Sequence, residues 1–89
     1  MDPITLFEAM AGDWRLLVEK DGDHYAASVI PVYGATADYR TILKDNADDA
    51  IDGACAFIEL RGAHEDAASL RDLAKAEVQK KNIKQGDER

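Results

Sequence analysis

The sequence predicts an α+β domain, on three observations. An Asp-Gly pair sits between two runs whose apolar residues alternate. Two later segments carry apolar residues at helical spacing. One chain of 89 residues, 46% apolar and 33% charged, suits a single folded unit rather than two or a disordered chain. The expected order is α-β-β-β-α-α. It comprises a short N-terminal helix, a three-stranded antiparallel sheet and two C-terminal helices packed on one face. Residues 1–83 form the domain, and 84–89 read as a frayed charged tail.

Asp2-Pro3 opens the first helix, because Asp caps and Pro fits a first helical position whose N–H would have no partner. Ile4, Phe7, Met10 and Ala11 recur at helical spacing, and Gly12 supplies a left-handed stop. Trp14–Lys20 and His24–Pro31 read as strands joined at Asp21-Gly22. A loop on those two residues pairs Val18 with Tyr25, Leu16 with Ala27 and Trp14 with Val29, all on one apolar face. Pro31-Val32-Tyr33-Gly34 is a loop, and Ala37–Leu43 is the third strand.

Asp45-Asn46 begins a helix that stops at Gly62, with Ala47, Ala50, Ile51, Ala54, Phe57 and Ile58 as its buried stripe. Asp48, Asp52 and Glu59 fall on the opposite side. The final helix runs from Glu65 to about Asn82, with Ala67, Leu70, Leu73, Ala74 and Val78 inward. Its apolar face also offers a seam for a homodimer.

The net charge is −7. Residues 1–64 hold twelve acids and five bases, whereas residues 65–89 hold six of each, so the body carries the whole excess. Such a body repels nucleic acid, and the expected partner is a protein with a basic surface. The single cysteine, Cys55, excludes an intramolecular disulfide and suits a reducing cytoplasm. No run approaches the roughly 18 apolar residues of a membrane span, and the start lacks a basic leader. A cytoplasmic protein without membrane contact is expected.

Candidate chemistry is sparse. Asp48, Asp52, Gly53 and Glu59 match four positions of a calcium loop, but Ala50 occupies a ligand position and the segment has a helical stripe. His24 and His64 lack paired metal spacing, and no phosphate-binding, dinucleotide or nucleophile-elbow motif is present. No cofactor and no catalytic residue are assigned, and binding outranks catalysis. The candidate partner-binding residues are Asp45, Asp48, Asp49, Asp52 and Glu59, together with the loop tyrosine Tyr33. Four acids between Asp45 and Asp52 exceed what a helix start needs to offset its dipole. Trp14 and Tyr25 belong to the core. Lys75, Lys80, Lys81 and Lys84 suit the negative end of the last helix.

Two resemblances accompany this reading. Asp21-Gly22-Asp23-His24-Tyr25, Pro31-Val32-Tyr33-Gly34 and Ala47-Asp48-Asp49-Ala50-Ile51, in this order between residues 14 and 60, resemble the HicB antitoxin family. That resemblance implies a β-β-β-α unit that neutralises a small toxin, although the DNA-binding part usual in that family does not follow. In size, acidity and composition the chain is also similar to phage-encoded anti-defence proteins, anti-CRISPR inhibitors among them. That likeness implies occlusion of a basic nucleic-acid-binding surface by acidic side chains. A structural or oligomerisation module is the remaining alternative.

Overall fold

Two glycine–aspartate turns organise the sheet. The structure is a computed structural model that describes residues 3–32 and 40–86, with side chains to Lys81. Strand β1 (Ile4–Ala11) turns at Gly12-Asp13 into β2 (Trp14–Asp21), which turns at Gly22-Asp23 into β3 (His24–Pro31). Strand β4 (Arg40–Lys44) completes an antiparallel meander in the order β1-β2-β3-β4. Helices α1 (Ala47–Leu60) and α2 (His64–Gly86) follow. The α+β class thus stands, with four strands and two helices among the described residues.

The N-terminal segment is a strand, not the expected short helix. A two-turn helix is marginal in water, whereas this segment hydrogen-bonds along β2 from Ile4↔Lys20 to Ala11↔Trp14. The misleading signal is local. A bulge between Thr5 and Phe7 lets adjacent Leu6 and Phe7 both reach the core, which breaks the period-two pattern. Two members of the supposed helical stripe, Ile4 and Met10, are exposed.

The hairpin lies two residues from the expected register. Its loop is Gly22-Asp23, and β2 pairs Asp21↔His24, Val18↔Ala27 and Leu16↔Val29. Gly22 has φ +64°, and among the described residues no non-glycine residue has positive φ. This is the pattern of a II′ turn, with glycine at its first central position. The expected loop would have forced Asp21 into the left-handed region. A two-residue shift preserves alternation, so Leu16, Val18, Ala27 and Val29 still share the buried face. Gly12, expected to stop a helix, performs the same turn at φ +59°.

Arg40–Lys44 overlaps the end of the expected third strand; its beginning, with Tyr39, lies outside the described residues. Helix α1 matches expectation closely. It ends in a Schellman motif: Gly62 at φ +90° donates to the Glu59 carbonyl at 2.9 Å, and Ala63 to the Ile58 carbonyl at 3.3 Å. The α2 backbone is helical to Gly86, beyond the expected end near Asn82.

Both helices cover the same sheet face. Helix α1 lies mainly on β3 and β4, and α2 on β1. Ile51, Ala54, Cys55 and Ile58 of α1 meet Leu70, Ala74 and Val78 of α2 over the inner sheet residues. Two stripe assignments change. Leu73 points outward, 55% exposed, and Phe57 is only partly buried. Gly53 allows close approach of α1 to β4: a Cβ there would stand 2.9 Å from Ile42 Cγ2.

Candidate protein-binding surface

The acidic stretch is divided by the fold into two groups with different roles. At the start of α1, Asn46 is the N-cap. Its Oδ1 accepts from the Asp49 N–H at 2.8 Å, and its Nδ2 donates to Asp49 Oδ2 at 3.0 Å. The first bond satisfies one of the helix-start backbone donors, and the second, between side chains, holds the cap in place. Asp48 and Asp49 occupy the first turn, where negative charge offsets the dipole. Both remain exposed.

Asp45 precedes the cap with its side chain 93% exposed, and Oδ1 lies 3.5 Å from His24 Nδ1. That contact sets the Gly22-Asp23 turn beside the helix start. Asp21 and Asp23, both exposed, therefore join Asp45, Asp48 and Asp49 at one end of the molecule. A shallow groove of about 410 Å³ lies at the same end, lined by Tyr25, Asn46, Ala47, Asp48, Val78 and Gln79.

Asp52 and Glu59 do not face away from the structure, as their helical positions suggested. They face α2. Arg71 Nε lies 3.3 Å from Asp52 Oδ1, and its Nη1 lies 3.4 Å from Glu59 Oε2. Lys75 Nζ reaches the same Asp52 oxygen at 2.8 Å. Hydrogen bonding to Asp52 raises the Lys75 pKa. Arg71 Nε is buried and lacks an aligned hydrogen bond, so its link to Asp52 is a charge contact. These four side chains clamp the two helices together. A signal for the clamp was present in the sequence: Arg71 and Lys75 are one helical turn apart, and share a face. Only the antiparallel helix pairing reveals which acids they meet.

The remaining candidates resolve as follows. Residues 48–59 are helical throughout, so the calcium-loop spacing is a coincidence of helix composition. Among the described residues, no group of three or more His, Cys, Asp or Glu side chains is arranged to hold a metal. Cys55 is fully buried, and burial pushes its thiol from 9.0 up to about 11. It stays protonated at neutral pH and acts as a small apolar group. Tyr33 lies outside the described residues.

The far end of α1 has a different character. Trp14 meets Phe57 edge-on, with centroids 6.1 Å apart and planes at 87°. The Arg40 and Arg61 guanidinium carbons each lie 5.0 Å from the Phe57 centroid. Cation–π contact of this kind accounts for an aromatic ring left partly exposed. Among the described residues, no helix is long and apolar enough to cross a membrane. No protein-family model, no curated protein and no solved structure matches the chain.

Proposed function

We propose that this protein is a protein-binding inhibitor whose acidic end occupies a basic, nucleic-acid-binding surface of a partner, in the manner of anti-CRISPR proteins. The observation that carries the reading is the grouping of five exposed aspartates, Asp21, Asp23, Asp45, Asp48 and Asp49, around one turn and one helix start. Only Asp49 is held by the cap, and Asp45 faces a histidine rather than a lysine or arginine. Exposed carboxylates of this kind pair with arginines and lysines that otherwise hold phosphates. A net charge of −7 steers the encounter and makes it salt-sensitive. Asp52 and Glu59 leave the candidate interface, because their charges are engaged within the protein.

The reading is tested against a panel of purified bacterial RNA-guided effector complexes, by inhibition of their DNA binding. The wild type is expected to inhibit at least one of them, more strongly at low salt. Combining Asp45→Asn, Asp48→Asn and Asp49→Asn should weaken inhibition about 100-fold, at roughly 1 kcal/mol per lost charge. Combining Asp52→Asn with Glu59→Gln should lower stability and leave affinity nearly intact. No inhibition anywhere in the panel refutes the reading, as does full activity of the triple variant. A small-toxin partner engaged through the sheet, as in the HicB resemblance, would also tolerate the triple variant.

A further inference from the structure

We infer that a cavity at the Trp14 end of the sheet receives an arginine side chain of a protein partner. The Gly12-Asp13 turn, the end of β3 and the Gly62-Ala63 turn between the helices meet there. They enclose about 460 Å³, with Trp14, Pro31 and Ala63 as apolar walls and Asp13, Asp66 and Arg61 as charged ones. That volume falls within the roughly 300–1,000 Å³ of ligand sites.

Backbone contacts hold the walls in place. Trp14 pairs with Ala11 on one side and with Pro31 on the other. The Val32 N–H donates to the Asp13 carbonyl at 2.8 Å, and the Schellman bonds to the Glu59 and Ile58 carbonyls fix Gly62 and Ala63. The Asp66 carboxyl group packs on Gly12, where a Cβ would stand 2.8 Å from the carboxyl carbon. A site formed in advance loses little freedom on binding.

The lining selects the occupant. Asp13 is exposed and Asp66 half-buried, and among the described residues neither side chain makes a hydrogen bond or ion pair. Arg61, the base in the lining, has its guanidinium carbon 5.0 Å from the Phe57 centroid and so is turned to the neighbouring ring. The cavity thus offers two carboxylates, one from a β-turn and one from α2, beside an indole. A guanidinium fits both, because it stacks on an aromatic face and pairs with carboxylates through a planar fork of donors. An ammonium matches the charge alone, and an acidic ligand is repelled. Phe57, whose centroid is 6.1 Å from that of Trp14, already holds two guanidinium groups, those of Arg40 and Arg61. Strand β2 runs from Trp14 to Asp21, roughly 23 Å at about 3.3 Å per residue, so the cavity lies at the opposite end of the sheet from the aspartates. An interface of roughly 800 Å² per partner is wide enough to include both. The inference rests on the proposed basic partner only for the source of the arginine. The α2 stripe does not serve as the homodimer seam suggested by sequence, because Ala67, Leu70, Ala74 and Val78 are buried within the protomer.

Titration of the full-length protein with N-acetyl-arginine amide, followed by NMR, tests the inference. Trp14 is the single tryptophan, so its indole N–H signal reports on this cavity. Saturable shifts are expected at Trp14, Gly62 and Ala63, with a dissociation constant of roughly 10 mM. The neutral isostere N-acetyl-citrulline amide should bind at least about 10-fold more weakly. Combining Asp13→Asn with Asp66→Asn should weaken the arginine probe by at least about 10-fold as well. The triple substitution at Asp45, Asp48 and Asp49 should leave the Trp14 response unchanged, so this test and the inhibition test fail separately. The absence of a saturable shift at Trp14 up to about 100 mM overturns the inference. So does citrulline binding as tight as that of arginine, or a response that survives the double substitution in a folded variant. If the double variant does not fold, the comparison of arginine with citrulline on the wild type decides alone.

Discussion

Gly53→Ala will destabilise the native protein, although it removes a glycine from the middle of a helix. The substitution alone would gain about 0.8–1 kcal/mol in helix propensity. Its new Cβ would stand 2.9 Å from Ile42 Cγ2 and 3.6 Å from Cγ1. The first distance is too short, and Cγ2 is attached directly to the Ile42 Cβ on a hydrogen-bonded strand. Relief requires α1 or β4 to move, and overpacking of this kind costs about 1–3 kcal/mol. The expected net loss is about 1 kcal/mol, or a melting temperature lower by about 4–8 °C for a chain of this size. In an Ile42→Ala background the obstructing methyl is gone, and Gly53→Ala should then stabilise by about 1 kcal/mol. Urea unfolding of the four proteins in the cycle measures a coupling of about 2 kcal/mol. A gain from Gly53→Ala in the wild-type background, or a coupling below about 0.5 kcal/mol, refutes the close approach of α1 to β4.

Other consequences are equally direct. The Cys55 thiol is raised from 9.0 to about 11 in the folded protein. Its contribution is complete below pH 9 and is lost as pH rises towards 11, amounting to about 3 kcal/mol. Unfolding curves should show that decline, and Cys55→Ala should flatten it; an unchanged slope refutes the burial argument. Gly12→Ala and Gly22→Ala should both cost about 1 kcal/mol, because both glycines have positive φ. Gly12→Ala should cost more, since a Cβ there would meet the Asp66 carboxyl carbon at 2.8 Å, whereas Gly22 has open space. Equal losses would show that Asp66 yields freely. Arg71→Met should lower stability by about 1 kcal/mol at low salt and by less at high salt, because its contacts with Asp52 and Glu59 are partly exposed. A salt-independent loss would assign its contribution to packing.

Helix α1 was legible because its stop and stripe are local signals, with Gly62 and the residues from Ala47 to Ile58 each readable within a few positions. The faces of the β2–β3 hairpin were legible for the same reason, and the two-residue register shift left them unchanged. Strand β1 was obscured by its bulge, which places Leu6 and Phe7 on one side and imitates a helical repeat. The second Gly-Asp pair, Gly12-Asp13, was the available clue, since it repeats the chemistry of Gly22-Asp23. The acidic surface was half legible. Charge density identified Asp45, Asp48 and Asp49, but nothing near Asp52 or Glu59 in sequence shows that Arg71 and Lys75 lie alongside. Leu73 illustrates the converse limit: its spacing fits the inner stripe, yet the helix packs with Leu70 and Ala74 inward.

The Lys81 ammonium donates a hydrogen bond to the Leu6 carbonyl, and so ties the last helix to the bulge of the first strand. The first strand is thus held by an element synthesised well after it. Strands β1 to β4 can pair in order as they emerge, each with its immediate predecessor, which favours rapid local assembly. The inner side of β1 nevertheless waits for α2. A nascent chain that stops short of Lys81 would hold a formed sheet with one flank of its apolar interior uncovered, a state prone to association with other chains. Closure of the core is thereby linked to the synthesis of α2.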